Sequence, residues 1–276
     1  MASLKSLDDL AFSGHGLSVE ERAGLEVAFA KARVESGFSA PLSFFGRIAG
    51  LENDYFVAYG LGESIDYPNK QFFFCTNKSF VLQALPELSD EFAEKAASLA
   101  AQRLKGDPSA LPDGEEEDDG GDDDDEDAPK KERFSEVHRL AHAVRAIDRD
   151  TAVVPRGAFL VTATHNVVRN TGFTGLDSTA GASLDNYFHY REPINLARKT
   201  ALERAGMVQS TDFLDPLSED APRGIWAVRV DRAAGVATLR SLSWPGYFFF
   251  HELGTGNFGG AYFGYGQANG DIGFMV

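Results

Sequence analysis

Four rings stand in a row at Tyr247, Phe248, Phe249 and Phe250, directly after the corner Trp244-Pro245-Gly246, and three more follow at Tyr262, Phe263 and Tyr265. In an extended strand successive side chains point to opposite faces. Two adjacent strands of this composition are too rich in rings to leave both faces wet. Whatever the chain folds into must hide them in its own core, around a ligand, or against another protein.

The 276 residues, 43% of them hydrophobic, suffice for one large domain or two small ones with a substantial core. Cys75 is the single cysteine, which excludes an internal disulfide framework and a cysteine-based zinc site and fits a reducing compartment. Asn77-Lys78-Ser79 meets the glycosylation sequon only formally. The opening MASLKSLDDL has no apolar signal region, Ala2 stands where myristoylation needs glycine, and no stretch approaches eighteen apolar residues. The expectation is a protein of the cytosol or of a compartment continuous with it.

The net charge of −16 is local. Twelve acidic residues and no basic one lie between Asp113 and Asp127; without them 30 acidic residues face 26 basic ones. The segment has no apolar period and repels itself, so a disordered insertion is expected at about 110–131, within one domain spanning 1–276. It reads as a solvated loop, or as an electrostatic bumper or lure for a basic partner. Its charge, with no compensating basic patch, disfavours nucleic acid.

Ser18 and Glu21 form a capping box before a helix whose apolar positions Leu25, Ala28, Phe29 and Ala32 keep the helical period until Gly37. FFGRIAGLENDYFVAYGL reads as two strands about the turn Leu51–Asp54, with Tyr55, Val57 and Tyr59 on one face, and Gln71–Cys75 supplies a third. Ser89 caps a helix expected to run to about Leu104, and Phe134, Val137, Leu140, Ala141, Val144 and Ile147 mark another. From Trp226 onward two hairpins follow. Helices and strands come in separate runs, which predicts an α+β fold with a largely antiparallel sheet and several packed helices.

Several constellations suggest chemistry. Gly254-Thr255-Gly256-Asn257-Phe258-Gly259 fits G-x-G-x-x-G, but a dinucleotide site needs a helix N-terminus directly afterwards, and GAYFGYG reads as a strand. The glycines suit a hairpin loop and small partners beside large rings. His138 and His142 have the spacing of a metal pair, yet Arg145 and Arg149 continue the stripe, so a polar, partly cationic helix face is expected. His189 and His251 lie among aromatics and read as satisfied, partly buried histidines. No Ser or Cys occupies a nucleophile elbow.

FFGRIAGLENDYFVAYGL (44–61), GDPS (106–109), VPRGAF (154–159), NYFHYREP (186–193), DFLDPLSEDAPRGIWAV (212–228) and LRSLSWPGYFFFHE (239–252) together resemble the radial spoke head protein 9 family of the ciliary and flagellar axoneme. The likeness spans nearly the whole chain in order. The last segment is also similar to the Trp-Pro-Gly segment of spoke head proteins 4 and 6, and the acidic run departs from the family pattern. The resemblance implies a non-enzymatic structural subunit of the radial spoke head that contacts the central pair apparatus and contributes to the regulation of motility, with no catalytic residue, cofactor or metal. It implies other spoke head proteins (4, 6 and 1) and central pair projections as partners, without nucleic acid or membrane, and the axoneme as location after synthesis in the cytoplasm. Alternation then sends about half of Tyr247, Phe248, Phe249, Phe250, Tyr262, Phe263 and Tyr265 into the core and leaves the other half as a partner interface, either half being able to take either role. A cytosolic interaction adaptor and a small-ligand-binding β-rich domain are the alternatives.

Overall fold

The computed structural model describes residues 4–275 apart from 39, 63–68, 112–132, 165, 192, 195–198 and 209. The expected acidic insertion lies, from 112 to 132, outside the described residues.

Helix α1 (Val19–Ser36) begins as its cap predicts. The Glu21 amide donates to Ser18 Oγ at 3.1 Å and the Ser18 amide donates to Glu21 Oε2 at 2.7 Å, while Gly37 closes the helix in the left-handed region. Its buried residues are Leu25, Ala28, Phe29 and Ala32. Before it, a 3-10 segment (Lys5–Ser13) is tied to α1 by Arg22 and Asp8 at 2.6 Å.

The strands β1 (Ser43–Ile48), β2 (Tyr55–Gly62), β3 (Asn69–Thr76) and β4 (Ser79–Ala84) form a meander. Helix α2 (Asp90–Ser98) stops well short of Leu104. The reason lies in α3 (Glu136–Thr151): the Arg139 guanidinium donates to the carbonyls of Leu99 and Gln102, and the chain then straightens so that Leu104 reaches the core. Short strands β5 (Val153–Pro155), β6 (Phe159–Val161), β7 (Val167–Arg169) and β8 (Tyr187–His189) pair as β5 with β8 and β6 with β7. The final strands are β9 (Trp226–Asp231), β10 (Val236–Ser241), β11 (Tyr247–Glu252) and β12 (Phe258–Gly264).

One eight-stranded sheet joins both ends of the chain in the order β4-β3-β2-β1-β12-β11-β10-β9, antiparallel except where β1 runs parallel to β12. The corner before β11 depends on Gly246, whose φ of 103° suits glycine and whose Cβ would strike the Phe263 carbonyl.

Both faces of the sheet's central strands are covered from within. On one, α3 and the residues after it pack against Tyr55, Val57, Tyr247, Phe249, Phe258 and Tyr262. On the other, Leu4, Leu7 and Leu10 join Leu25, Phe29 and Ala32 of α1 over Phe44, Phe56, Phe73, Phe248, Phe250 and Phe263.

The ends of the acidic segment are clamped together. Glu136 N donates to Ala110 O at 2.9 Å, Val137 N to Pro108 O at 3.1 Å, and the buried Glu136 carboxylate accepts from Lys105 N at 2.7 Å, Gly106 N at 2.6 Å and the Tyr55 hydroxyl at 2.7 Å. The chain thus leaves and returns beside the first turn of α3.

Candidate functional site

The rings of β11 and β12 divide by alternation, but both halves are core. Tyr247, Phe249 and Tyr262 join one face, and Phe248, Phe250 and Phe263 the other, all six buried. Where a partner was expected to cover half of them, α1 and the N-terminal segment do so instead. Such packing needs narrow neighbours. Gly259 and Gly260 pair with Phe250 and Phe249 across the strands, and a Cβ on Gly260 would meet the Tyr247 hydroxyl.

Tyr265 is the exception, 54% exposed just past the end of β12. The Arg103 guanidinium lies 4.1 Å from its ring centroid and donates to Gly50 O. Leu51, whose amide donates to Leu104 O at 2.9 Å, stands exposed beside Arg103. Tyrosine and arginine, here placed one over the other, are residue types enriched at protein interfaces. Of these three, only Tyr265 belongs to the aromatic set singled out by the sequence; the signal for the others is a leucine standing in the polar turn Leu51–Asp54.

The histidines do not gather. His138 is buried between Phe92 and Phe134, and its Nδ1 accepts from the Ser135 amide at 3.1 Å, so it belongs to the helix start and not to a polar face. His142 is half-buried, its pKa lowered by burial and by Arg149. Among the described residues no group of three His, Cys, Asp or Glu could hold a metal.

His189 and His251 are buried more completely than expected. His189 Nε2 lies 2.8 Å from Asp220 Oδ1, and Trp226 Nε1 donates to Asp220 Oδ2 at 2.7 Å, while His189 Nδ1 has no partner. His251 packs among Phe173, Tyr187 and Phe258 with neither ring nitrogen in a well-formed hydrogen bond, and burial pushes its pKa down to about 4.

A buried ion pair completes this layer. Lys70 Nζ donates to Asp148 Oδ1 at 2.7 Å and to Tyr190 O at 2.6 Å. Burial lowers the lysine pKa and raises that of the aspartate. The adjoining cavity of about 30 Å³ has room for one water and none for a substrate. Nearby, Arg191 Nη1 and Ile194 N both donate to Asp215 Oδ2, at 2.9 and 2.8 Å. These carboxylates hold secondary structure together. A wider groove of about 430 Å³ crosses the outer face of β9 and β10, lined by Asp9, Arg229, Asp231, Thr238 and Arg240 among others. The aromatic strands do not line it, contrary to what a ring-lined ligand pocket would require. The G-x-G-x-x-G segment runs directly into β12, with no helix to receive a pyrophosphate.

No protein-family model matches the chain. Proteins named radial spoke head protein 9 homolog do. The one from Danio rerio is 39% identical over 274 residues, covering 98% of this chain and 97% of its own length. Those from Mus musculus and Homo sapiens are 37% and 35% identical, each covering 99% of this chain and 98% of its own length. With likeness of this extent, and with the Trp-Pro-Gly corner and the two aromatic strands knit into one continuous sheet, the chain belongs to the radial spoke head protein 9 family.

Proposed function

We propose that this protein is a non-catalytic structural subunit of the axonemal radial spoke head, joined there to other spoke head subunits, proteins 4, 6 and 1 among them. Through the head's contact with central pair projections it contributes to the regulation of ciliary and flagellar motility. The observation that carries this reading is the end-to-end similarity to proteins bearing the spoke head name. The fold is consistent with it. The sheet uses strands from both ends of the chain, which supports one domain over 1–276, and its two cores are closed without a partner. Partners then meet the outer surface, where Tyr265 is the one accessible ring of the expected interface and Arg103 and Leu51 stand beside it.

The test is electron tomography of cilia from cells lacking the gene. Cilia present, with missing or defective spoke heads and abnormal beating, is the expected result. Normal spoke heads in null cells would overturn the assignment. Co-expression with spoke head protein 4 or 6 should give a complex burying at least about 1,000 Å², weakened by Tyr265→Ala.

A further inference from the structure

Helix α1 is apolar on two opposite faces. Leu25, Ala28, Phe29 and Ala32 face the core, and at 100° per residue Val19, Ala23, Val27, Ala30 and Val34 fall on the reverse side, all exposed. Val19, Val27 and Val34 are 88%, 72% and 81% accessible. Single exposed valines are ordinary. An unbroken stripe over the length of a helix, with Arg22, Glu26 and Arg33 along one border and Glu20, Lys31 and Glu35 along the other, is the pattern of a helix that packs on both sides.

The spacing of the stripe suits a second copy of the same helix. Ala23, Val27, Ala30 and Val34 are separated by four, three and four residues, the alternation of a coiled-coil seam. The same spacing is read in either direction, so an antiparallel second copy fits it in register. Val27 then faces the partner's Ala30 and Val34 faces the partner's Ala23, with the reciprocal contacts that a twofold axis imposes. Every layer pairs a large residue with a small one, which keeps the helix separation uniform. A parallel pairing would stack valine on valine and alanine on alanine. In the antiparallel register Glu26 and the partner's Arg33 lie on the same side of the seam, offset by about two residues, or ~3 Å along the axis, and the twofold axis repeats the pair. We propose that two copies of this chain associate through α1, antiparallel, along the seam Ala23, Val27, Ala30 and Val34. This goes beyond the spoke head reading and does not depend on it.

A seam of four layers sits at the small end of specific interfaces, so the free chain is expected to dimerise weakly. Sedimentation equilibrium of the full chain, from about micromolar to hundreds of micromolar, should show a monomer–dimer equilibrium, and Val27→Glu or Val34→Glu should weaken it by at least about tenfold without changing the circular dichroism melt. Glu26→Arg should weaken it, and Glu26→Arg combined with Arg33→Glu should restore it. A mixture of Ala23→Cys and Val34→Cys chains should form an intermolecular disulfide that Val34→Cys alone does not. A chain that stays monomeric throughout the range would overturn the proposal, as would a dimer indifferent to Val27→Glu. Cross-linking of Val34→Cys to itself would reverse the register to parallel and overturn it equally. A monomer whose α1 stripe instead binds a helix of another spoke head protein would replace self-association with a heterologous contact.

Discussion

On one face of the sheet every buried ring is a phenylalanine; on the other lie both tryptophans and every buried tyrosine among the described residues. The strands are the same, so the difference comes from what covers them. Over these rings the N-terminal segment and α1 place leucine, alanine and phenylalanine side chains, and His15 stacks on Phe263. The opposite layer is built from α3 and the irregular chain after it, which carry acceptors inward. Tyr55 donates to Glu136, Tyr187 to the Gly181 carbonyl, Trp226 to Asp220 and Trp244 to Asp150. Burying an aromatic residue with a polar tip requires such a partner, and a phenylalanine requires only volume. The ring density of these strands is thus divided between two cores of different chemistry.

The largest effect expected from this difference is on the polar side. Glu136→Ala leaves the Tyr55 hydroxyl and the amides of Lys105 and Gly106 without their buried acceptor, at about 3 to 5 kcal/mol. A urea midpoint unchanged from wild type would mean that this face is held by packing alone.

Exchanging a single hydroxyl between the faces sharpens the contrast. Phe250→Tyr places an oxygen into a fully buried, close-packed site and should cost about 2 to 4 kcal/mol. Tyr55→Phe removes one of three donors to Glu136 and should cost about 1 kcal/mol. Equal costs would show that the two cores do not differ as described.

The polar face also carries the pH dependence. Burial holds His251 neutral in the folded chain down to about pH 4, while in the unfolded chain it takes up a proton near its ordinary value of about 6.5. The unfolded state then binds more protons below that value, so this stability is full above about pH 6.5 and declines as the pH falls toward 4. Between pH 7 and pH 5 the loss should be about 2 kcal/mol. His251→Leu should remove most of that slope in chemical denaturation series, leaving the smaller contribution of His142, whose pKa is depressed in the same direction.

The smallest effect is expected from removing the acidic segment. The hydrogen bonds from Glu136 and Val137 to Ala110 and Pro108 hold its two ends side by side. Replacing 112–132 with a short Gly-Ser linker should change stability by less than about 1 kcal/mol, because loop closure varies slowly with length. A large drop in the thermal midpoint would mean that the segment packs against one of the two faces.

Local signals were legible in the sequence. Ser18 and Glu21 announce α1, Leu25, Ala28, Phe29 and Ala32 mark its core face, alternation shows both C-terminal hairpins, and the Trp-Pro-Gly corner holds Trp244 buried. Long-range partnerships were not. Strand β4 follows β3 through a tight turn at Asn77 and Lys78, which lacks the glycine that advertises a hairpin, and the parallel join of β1 to β12 unites segments more than two hundred residues apart. The early end of α2 depends on Arg139, forty residues beyond Leu99. For the candidate surface, alternation divided the rings of β11 correctly by face. It could not reveal that Leu4, Leu7, Leu10 and α1 would cover the second face, because nothing local links those residues to Phe248 and Phe250.

Amide hydrogen exchange, compared between the free chain and the chain assembled with other spoke head proteins, tests most directly whether the aromatic strands are core and the partner surface lies elsewhere. The expected result is that 247–252 and 258–264 are strongly protected in the free chain and unchanged on assembly, while protection rises around Arg103 and Tyr265. Rapid exchange of both strands in the free chain, slowed only when the partners bind, would contradict it.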